Sequence, residues 1–396
     1  MLIKVYLNDL GEIKVSLLQI IKQQIEAQPE QSISFYDYMH LALYHPDKGY
    51  YSRSKNKIGK SGDFYTSVSV GSIFGEVLAN GFAEMIEEQL NHQPCYLVEF
   101  GGGTGDLILH ILNEWKRNFP HLVDKVNVIL IERSPFHRQL QREKLDGFDV
   151  QWFETWEDAV KQFGSISGVV YSNELIDAFP VYLLEFHNGE WLEVRVSWDA
   201  ETEQLVESLR EISSPDLLDY IQHEESDIPK INGYRIEVNL DAKKWLTNVS
   251  TGLNQGYMVT IDYGYKREDL YLPQRKSGTL LCYHQHIASN NPLEDPGEKD
   301  ITSHIHFSLL MEKGEELGLS NLGLFTQRQY LMNGGILNKL QEHQETNPLH
   351  GANSKRNRAI RQLIMPGGMG DTFKVLVQAK GAVKQELNCL KTKGWI

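Results

Sequence analysis

The sequence predicts an α/β chain built on a doubly wound, mostly parallel sheet, and three observations predict it. Short continuous apolar runs recur at 95–100, 127–131, 150–153, 168–171 and 257–261, separated by stretches with helical spacing. Unbroken runs, rather than alternation, mark strands buried on both faces. The first run leads straight into Gly101, Gly102, Gly103 and Gly105, and then into Leu107, Ile108, Ile111 and Leu112 at helical spacing. That is a strand, a tight turn and a helix in succession. The third observation is a change of texture, because the residues before 90 read as helices and polar connections instead.

The elements follow in order. Residues 13–27 carry apolar side chains at helical spacing and predict an amphipathic helix. A second helix should start at Ser34, a good N-cap, and run through Met39 and Leu43 to the break at His45-Pro46. A polar stretch occupies 47–67, and 73–89 reads as a third helix. Between the fourth and fifth runs, 182–186 and 191–196 flank His187-Asn188-Gly189-Glu190, and Asn-Gly is a strong hairpin signal. Residues 200–233 are acidic and read as a helical or irregular excursion; 266–300 are polar and rich in Pro and Gly. Residues 373–378 look like a final strand. The expected division is a helical and lid region at 1–90 and a core at 91–396, with insertions at about 182–235 and 266–350.

Charge narrows the function. Lys and Arg number 39 against 53 Asp and Glu, a net of −14, and no basic stripe with interleaved aromatics is present. Such a field repels phosphates, so a nucleic acid partner is not expected and a protein or small-molecule acceptor is. Cys95, Cys282 and Cys389 are far apart and form no CxxC pair, which argues against a disulfide framework or a cysteine zinc site. No stretch approaches the roughly 18 apolar residues of a membrane span. Glu12 and Glu26 do not suit a transit peptide, so the expected location is cytoplasmic and no membrane partner is expected. Oligomeric state is not legible.

The sharpest local feature is Glu99-Phe100-Gly101-Gly102-Gly103-Thr104-Gly105-Asp106. Glycines let the backbone take positive φ and approach a ligand, and a helix start presents free N–H groups. The dinucleotide fingerprint needs a third glycine where this chain has Asp106, which argues against a nicotinamide-dependent oxidoreductase. The observed Glu-x-Gly-x-Gly-x-Gly resembles instead the first motif of Rossmann-like methyltransferases, whose ligand is a cationic sulfonium amino acid. Glu99 beneath the turn suits a cation. The second run ends at Glu132, 31 residues after Gly101, where a carboxylate can accept ribose hydroxyls or stand as a solvated strand-end charge. The fourth run ends at Asn173-Glu174, with Asp177 following, and strand ends line the crevice of such a sheet. Asn173 is a candidate binding residue. Glu174 or Asp177 could orient a guanidinium and take its proton, although Asp177 could equally cap a turn. His284-x-His286 and His304-x-His306 could each present two imidazoles, but no third ligand is obvious and no metal is expected.

Further strings fall into one pattern. They include Leu41-Ala42-Leu43-Tyr44-His45-Pro46, Gly49-Tyr50-Tyr51, Gly62-Asp63-Phe64-Tyr65-Thr66-Ser67, Asn173-Glu174 with Asp177-Ala178-Phe179-Pro180, and Ile261-Asp262-Tyr263-Gly264-Tyr265. Later come Asp295-Pro296-Gly297, Asp300-Ile301-Thr302 with His304, and Pro366-Gly367-Gly368-Met369-Gly370. In these the chain resembles, over nearly its whole length, the MidA-like family of mitochondrial complex I assembly-factor methyltransferases and their bacterial relatives. The resemblance implies a Rossmann-like class I methyltransferase sheet with an N-terminal helical region and inserted segments. It implies S-adenosyl-L-methionine as cofactor, bound at Gly101, Gly103 and Gly105 with Glu132 on the ribose. It also implies a lid over 62–67 that brings Asp63 and Tyr65 near the pocket. Mitochondrial members are associated with symmetric dimethylation of a protein arginine, so an arginine acceptor is implied. Relatives usually carry Pro and a basic residue where this chain has Gly102 and Thr104. The alternative is a cofactor-binding assembly or interaction factor with little or no turnover.

Overall fold

The computed structural model describes residues 15–52, 68–87, 89–90, 94–284, 287–342 and 351–391. Its centre is a sheet of eight strands, seven of which lie side by side: Leu319–Thr326, Phe373–Lys380, Leu253–Tyr265, Ile166–Asn173, Cys95–Phe100, Val126–Ile131 and Val150–Phe153. The last five are mutually parallel, and Phe373–Lys380 is antiparallel to both of its neighbours. That final strand slips between its neighbours where the all-parallel dinucleotide-binding order has none. The chain leaves Cys95–Phe100 toward one edge and returns at Ile166–Asn173 on the other side. A crevice therefore opens between their carboxyl ends, the usual ligand position in such sheets.

Both faces of the sheet are covered, which explains the unbroken apolar runs. Leu97, Val128 and Leu130 face Phe74, Phe82, Ile108 and Trp115, whereas Val98, Phe100 and Ile129 face Trp156, Leu246 and Phe307. The helix Ile73–Glu87 belongs to this core.

A second body rests on the carboxyl edge. Tyr182–His187 and Glu190–Asp199 form the expected hairpin, with Asn188 and Gly189 both at positive φ, as a two-residue turn requires. Contrary to the expectation of a helical or irregular excursion, Gln204–Glu211 adds a further antiparallel strand to Glu190–Asp199, while the helix Pro215–Glu224 that follows agrees with it. The strand is hidden in the acidic composition because it buries little beyond Leu205. The sheet also recruits Ser32–Ser34, paired with Arg195–Ser197.

The two N-terminal helices pack against this inserted sheet. Ser16 caps Leu17–Ala27 with a complete capping box, and Ser34 caps Phe35–Tyr44, which stops before His45-Pro46 as expected. Phe35, Tyr38, Met39 and Leu43 bury themselves against Val181, Val194, Val196, Cys282 and Ile301. Tyr36 stacks on Tyr182 and donates to Asp241 at 2.7 Å. The consequence for function is that Tyr44, at the end of its helix, reaches the crevice and donates to the carbonyl of Ala178 at 2.8 Å.

Candidate active site

The glycine turn sits at the mouth of the crevice. Gly101, Gly103 and Gly105 take φ of 65, 52 and 80°, the left-handed region that glycine tolerates best. A Cβ at Gly102 would lie 2.8 Å from Glu99 Oε2, and one at Gly101 would lie 2.7 Å from Leu175 Cδ1. The helix Asp106–Asn118 starts here, and its N-cap Gly105 offers no side chain to the first-turn N–H groups. Asp106 is taken up by Lys144 at 2.7 Å and Thr104 at 2.6 Å, so it stays with the scaffold.

Glu99 lies buried under the turn. Burial pushes its carboxyl up to about 8, the Tyr171 hydroxyl pulls it back, and the charge of Glu132 adds to the rise. Glu132, also buried, accepts from the backbone N–H of Ser134 at 2.8 Å and faces His137 Nδ1 at 3.8 Å. The sequence reading missed Gln141. Its amide nitrogen donates to the Gly103 carbonyl at 2.8 Å and reaches Glu132 at 3.5 Å, while its oxygen accepts from Trp152 at 3.0 Å. This one side chain joins the glycine turn to the second carboxylate. A fully buried glutamine on a charged helix carries no local signal that would have found it.

Across the crevice, Asn173 and Glu174 end the next strand. Glu174 holds φ of 52°, rare for a residue with a side chain, and its carboxylate accepts from Asn173 Nδ2 at 3.0 Å. Asn173 Oδ1 is buried without a hydrogen-bond partner among the described residues. Asp177 is buried too. Tyr263 donates its hydroxyl to Asp177 Oδ2, and Oδ1 has no hydrogen-bond partner among the described residues. Burial raises its carboxyl to about 6, against the pull of Tyr263 and the backbone N–H of Ala178. Asp262 supports the loop by accepting from the backbone N–H groups of Ile176 at 3.0 Å and Asp177 at 3.3 Å. Burial and the neighbouring Asp177 charge raise it as well.

Aromatic rings wall this half. Tyr51 donates to Asp300 at 2.8 Å and stacks on Tyr44, and His304 packs edge-on to Tyr263 with Tyr265 on its other side. Burial, helped by Arg275, lowers His304 to about 4, so its ring is neutral near pH 7. His306 does not pair with His304 as a ligand set. Its Nδ1 accepts from Leu309 N at 2.8 Å as a helix cap, and Nε2 faces Glu224 at 3.2 Å. His286, Asp63 and Tyr65 lie outside the described residues.

The residues fit a cationic, ribose-bearing cofactor. A turn too tight for side chains lies over a buried carboxyl, a second carboxylate stands at the next strand end, and the third offers an Asn173 oxygen with no hydrogen-bond partner among the described residues. The fold and this cradle are those of a Rossmann-like methyltransferase. The comparisons carry this further: the chain belongs to the Methyltransf_28 family of S-adenosyl-L-methionine-dependent methyltransferases, matched over residues 77–325. It is similar to the mitochondrial protein arginine methyltransferase NDUFAF7 of Danio rerio, with 26% identity over 95% of this chain and 90% of that protein. The Homo sapiens protein of the same name is 26% identical over 86% and 78%. Among solved structures, a COG1565 superfamily member from Burkholderia thailandensis bound to S-adenosyl-homocysteine superposes with a TM-score of 0.83, at 28% identity over 94% of each chain. The chain is thus an S-adenosyl-L-methionine-dependent methyltransferase with a class I sheet, an N-terminal helical region and inserted segments.

The expected cytoplasmic location is corrected by the same relatives. The matched Drosophila, Danio and human proteins are named mitochondrial, so the acidic residues near the N-terminus carry no statement about compartment. Among the described residues no helix is long and apolar enough to cross a membrane.

Proposed function

We propose that the chain methylates a nitrogen of a protein arginine side chain, with Asp177 receiving the proton that the nitrogen loses. The observation that carries this reading is the buried Asp177 carboxylate, one oxygen held by Tyr263 and the other without a hydrogen-bond partner among the described residues, beside Tyr44, Tyr51 and Tyr263. A planar guanidinium suits a carboxylate flanked by aromatic faces. The names of the matched relatives, protein arginine methyltransferases, support the same acceptor class.

In this reading Gly101, Gly103 and Gly105 admit the cofactor's backbone-hugging portion, Glu99 and Asn173 hold its amino-acid end, and Glu132 accepts the ribose hydroxyls. The cofactor supplies an electrophilic methyl group. The chain's own contribution is alignment of the acceptor nitrogen and a place for its proton. Glu174, whose carboxylate is engaged by Asn173, shapes the strand end and is not the base.

The test is methyl transfer from S-adenosyl-L-methionine tritiated on the methyl group to synthetic peptides that differ only in a central arginine or lysine. Label recovered as methylarginine, and only from the arginine peptides, is the expected result. Label on lysine, or none on any peptide while S-adenosylhomocysteine still binds, would sink the acceptor assignment.

A further inference from the structure

We infer that Tyr263 is a positioning residue for methyl transfer: by donating to Asp177 Oδ2 it leaves Oδ1 as the one oxygen turned over to the acceptor. The inference rests on the assignment of Asp177 as proton acceptor and extends it to a residue outside that assignment.

The geometry is built from two sides. Asp262, one residue before Tyr263 on the same strand, fixes the backbone of the Asp177 loop through the N–H groups of Ile176 and Asp177. Tyr263 then fixes the side chain. Its ring is itself locked, edge-on to Phe373 and to His304 at 5.3 Å each. A carboxylate with one oxygen occupied by a rigid donor does not rotate freely, so Oδ1 keeps one orientation. Tyr263 keeps its own proton, since burial and the charges of Asp177 and Asp262 push its hydroxyl well above the ordinary phenol range. Toward Asp177 it acts as a donor.

The proton balance follows. The acceptor nitrogen forms its bond to carbon as the methyl–sulfur bond breaks and leaves its electron pair on sulfur, and the N–H proton passes to Asp177 Oδ1. The positive charge of the sulfonium and the negative charge of the carboxylate disappear together, which suits a site this buried. Water then takes the proton from the carboxylic acid.

The charges that face Asp177 come from every packed element. The strand Leu253–Tyr265 contributes Asp262 and Tyr263, and Glu174 on the same loop faces Asp262. The N-terminal segment brings Tyr44 and Tyr51, and the paired antiparallel strands Leu281–His284 and Asp300–Thr302 bring Tyr283 and Asp300. His304, neutral near pH 7, completes the wall. Of these groups, Tyr263 is the one whose hydroxyl bonds the Asp177 carboxylate.

The experiment is a carbon-13 titration of the full chain, labelled at aspartate carboxyl carbons and saturated with S-adenosylhomocysteine. Asp177→Asn assigns the resonance. The wild-type midpoint should lie above the ordinary aspartate value, because the carboxyl is buried. Tyr263→Phe keeps the ring contacts and removes only the donor, so the midpoint should rise by about one pH unit or more. Tyr263→3-fluorotyrosine strengthens the donor and should lower it, which keeps the test decisive if the Phe variant folds poorly. An Asp177 midpoint unchanged by both substitutions would overturn the inference. In the peptide assay, the acid limb of the kcat profile should move with the midpoint. A moved midpoint without peptide methylation refutes the acceptor assignment, and the inference that rests on it falls too. Methylation whose pH profile ignores the Tyr263 substitutions refutes the inference and leaves the acceptor assignment standing.

Discussion

The cofactor half and the acceptor half of this crevice are built in opposite ways. The cofactor half is local: Glu99 to Asp106 is one strand–turn–helix, and Glu132 to Gln141 is the corresponding turn of the next strand. The acceptor half is assembled at a distance, from Tyr44 and Tyr51 before the core, Asp177 and Tyr263 at strand ends, and Asp300 and His304 in an inserted segment. The first half can be shared by any chain that binds this cofactor. The proposed function makes the second the place where the acceptor is chosen, since most of its walls come from segments outside the shared parallel strands. Charge state instead separates both halves from the scaffold. Glu76, a buried carboxylate between scaffold helices, is brought to about 2 against the penalty of burial by Arg356, Ser72 and Lys339. Among the described residues no such cation neutralises Glu99 or Asp177, and both are raised, a folding cost that a purely structural residue would not carry.

If the two halves are separable, a substitution in one should leave the other intact. The largest effect is expected from Asp177→Asn, which keeps the shape and removes the proton acceptor. Peptide methylation should fall by about 10²–10⁴-fold in kcat, with S-adenosylhomocysteine affinity within about twofold of wild type. Calorimetric titration checks the second clause, and lost cofactor binding would show that the halves are one unit. Gly103→Val tests the other half. A β-branched residue at φ 52° costs roughly 1–3 kcal/mol of backbone strain before any contact with the ligand is lost, so affinity should fall by about 10–100-fold. Unchanged affinity would place the cofactor elsewhere.

The same division governs what could be read from the sequence. The buried parallel strands were legible because a strand covered on both faces leaves an unbroken apolar run, and the hairpin was legible because Asn188-Gly189 demands its turn. Gln204–Glu211 was not, since a strand at the edge of a half-solvated sheet carries charges that imitate an irregular excursion. The glycine turn, Glu99 and Glu132 could be located because their spacing lies within single βα units. Asp177 and Glu174 were equal candidates by sequence. The positive φ of Glu174 and the Tyr263 bond that separates the two are products of tertiary packing. Gln141 and Tyr44 join the site through contacts 38 and 134 residues apart in sequence, which no spacing rule covers.

The smallest predicted effect sharpens the electrostatic side of the comparison. Glu99 is raised from 4.5 to about 8 in the ligand-free chain, so at pH 7 it is mostly protonated. A ligand whose ammonium group sits against it favours the ionised form. Binding must then release a proton below pH 8, and the dissociation constant for S-adenosylhomocysteine should fall as pH rises from 6 to 8, by at most about tenfold per unit. Titration in two buffers of different ionisation enthalpy measures the released proton directly. Glu99→Gln should abolish the release and flatten the profile. The stability of the ligand-free protein carries the opposite trend. The native state binds more protons than the unfolded chain between about 4.5 and about 8, so the Glu99 contribution is full below that window and is lost as pH rises through it. Thermal unfolding across the window should therefore fall more steeply for wild type than for Glu99→Gln, while added S-adenosylhomocysteine narrows the difference. Equal slopes with and without the carboxyl would mean that Glu99 is not the acid beneath the ligand. The glycine turn would then be answering to shape alone.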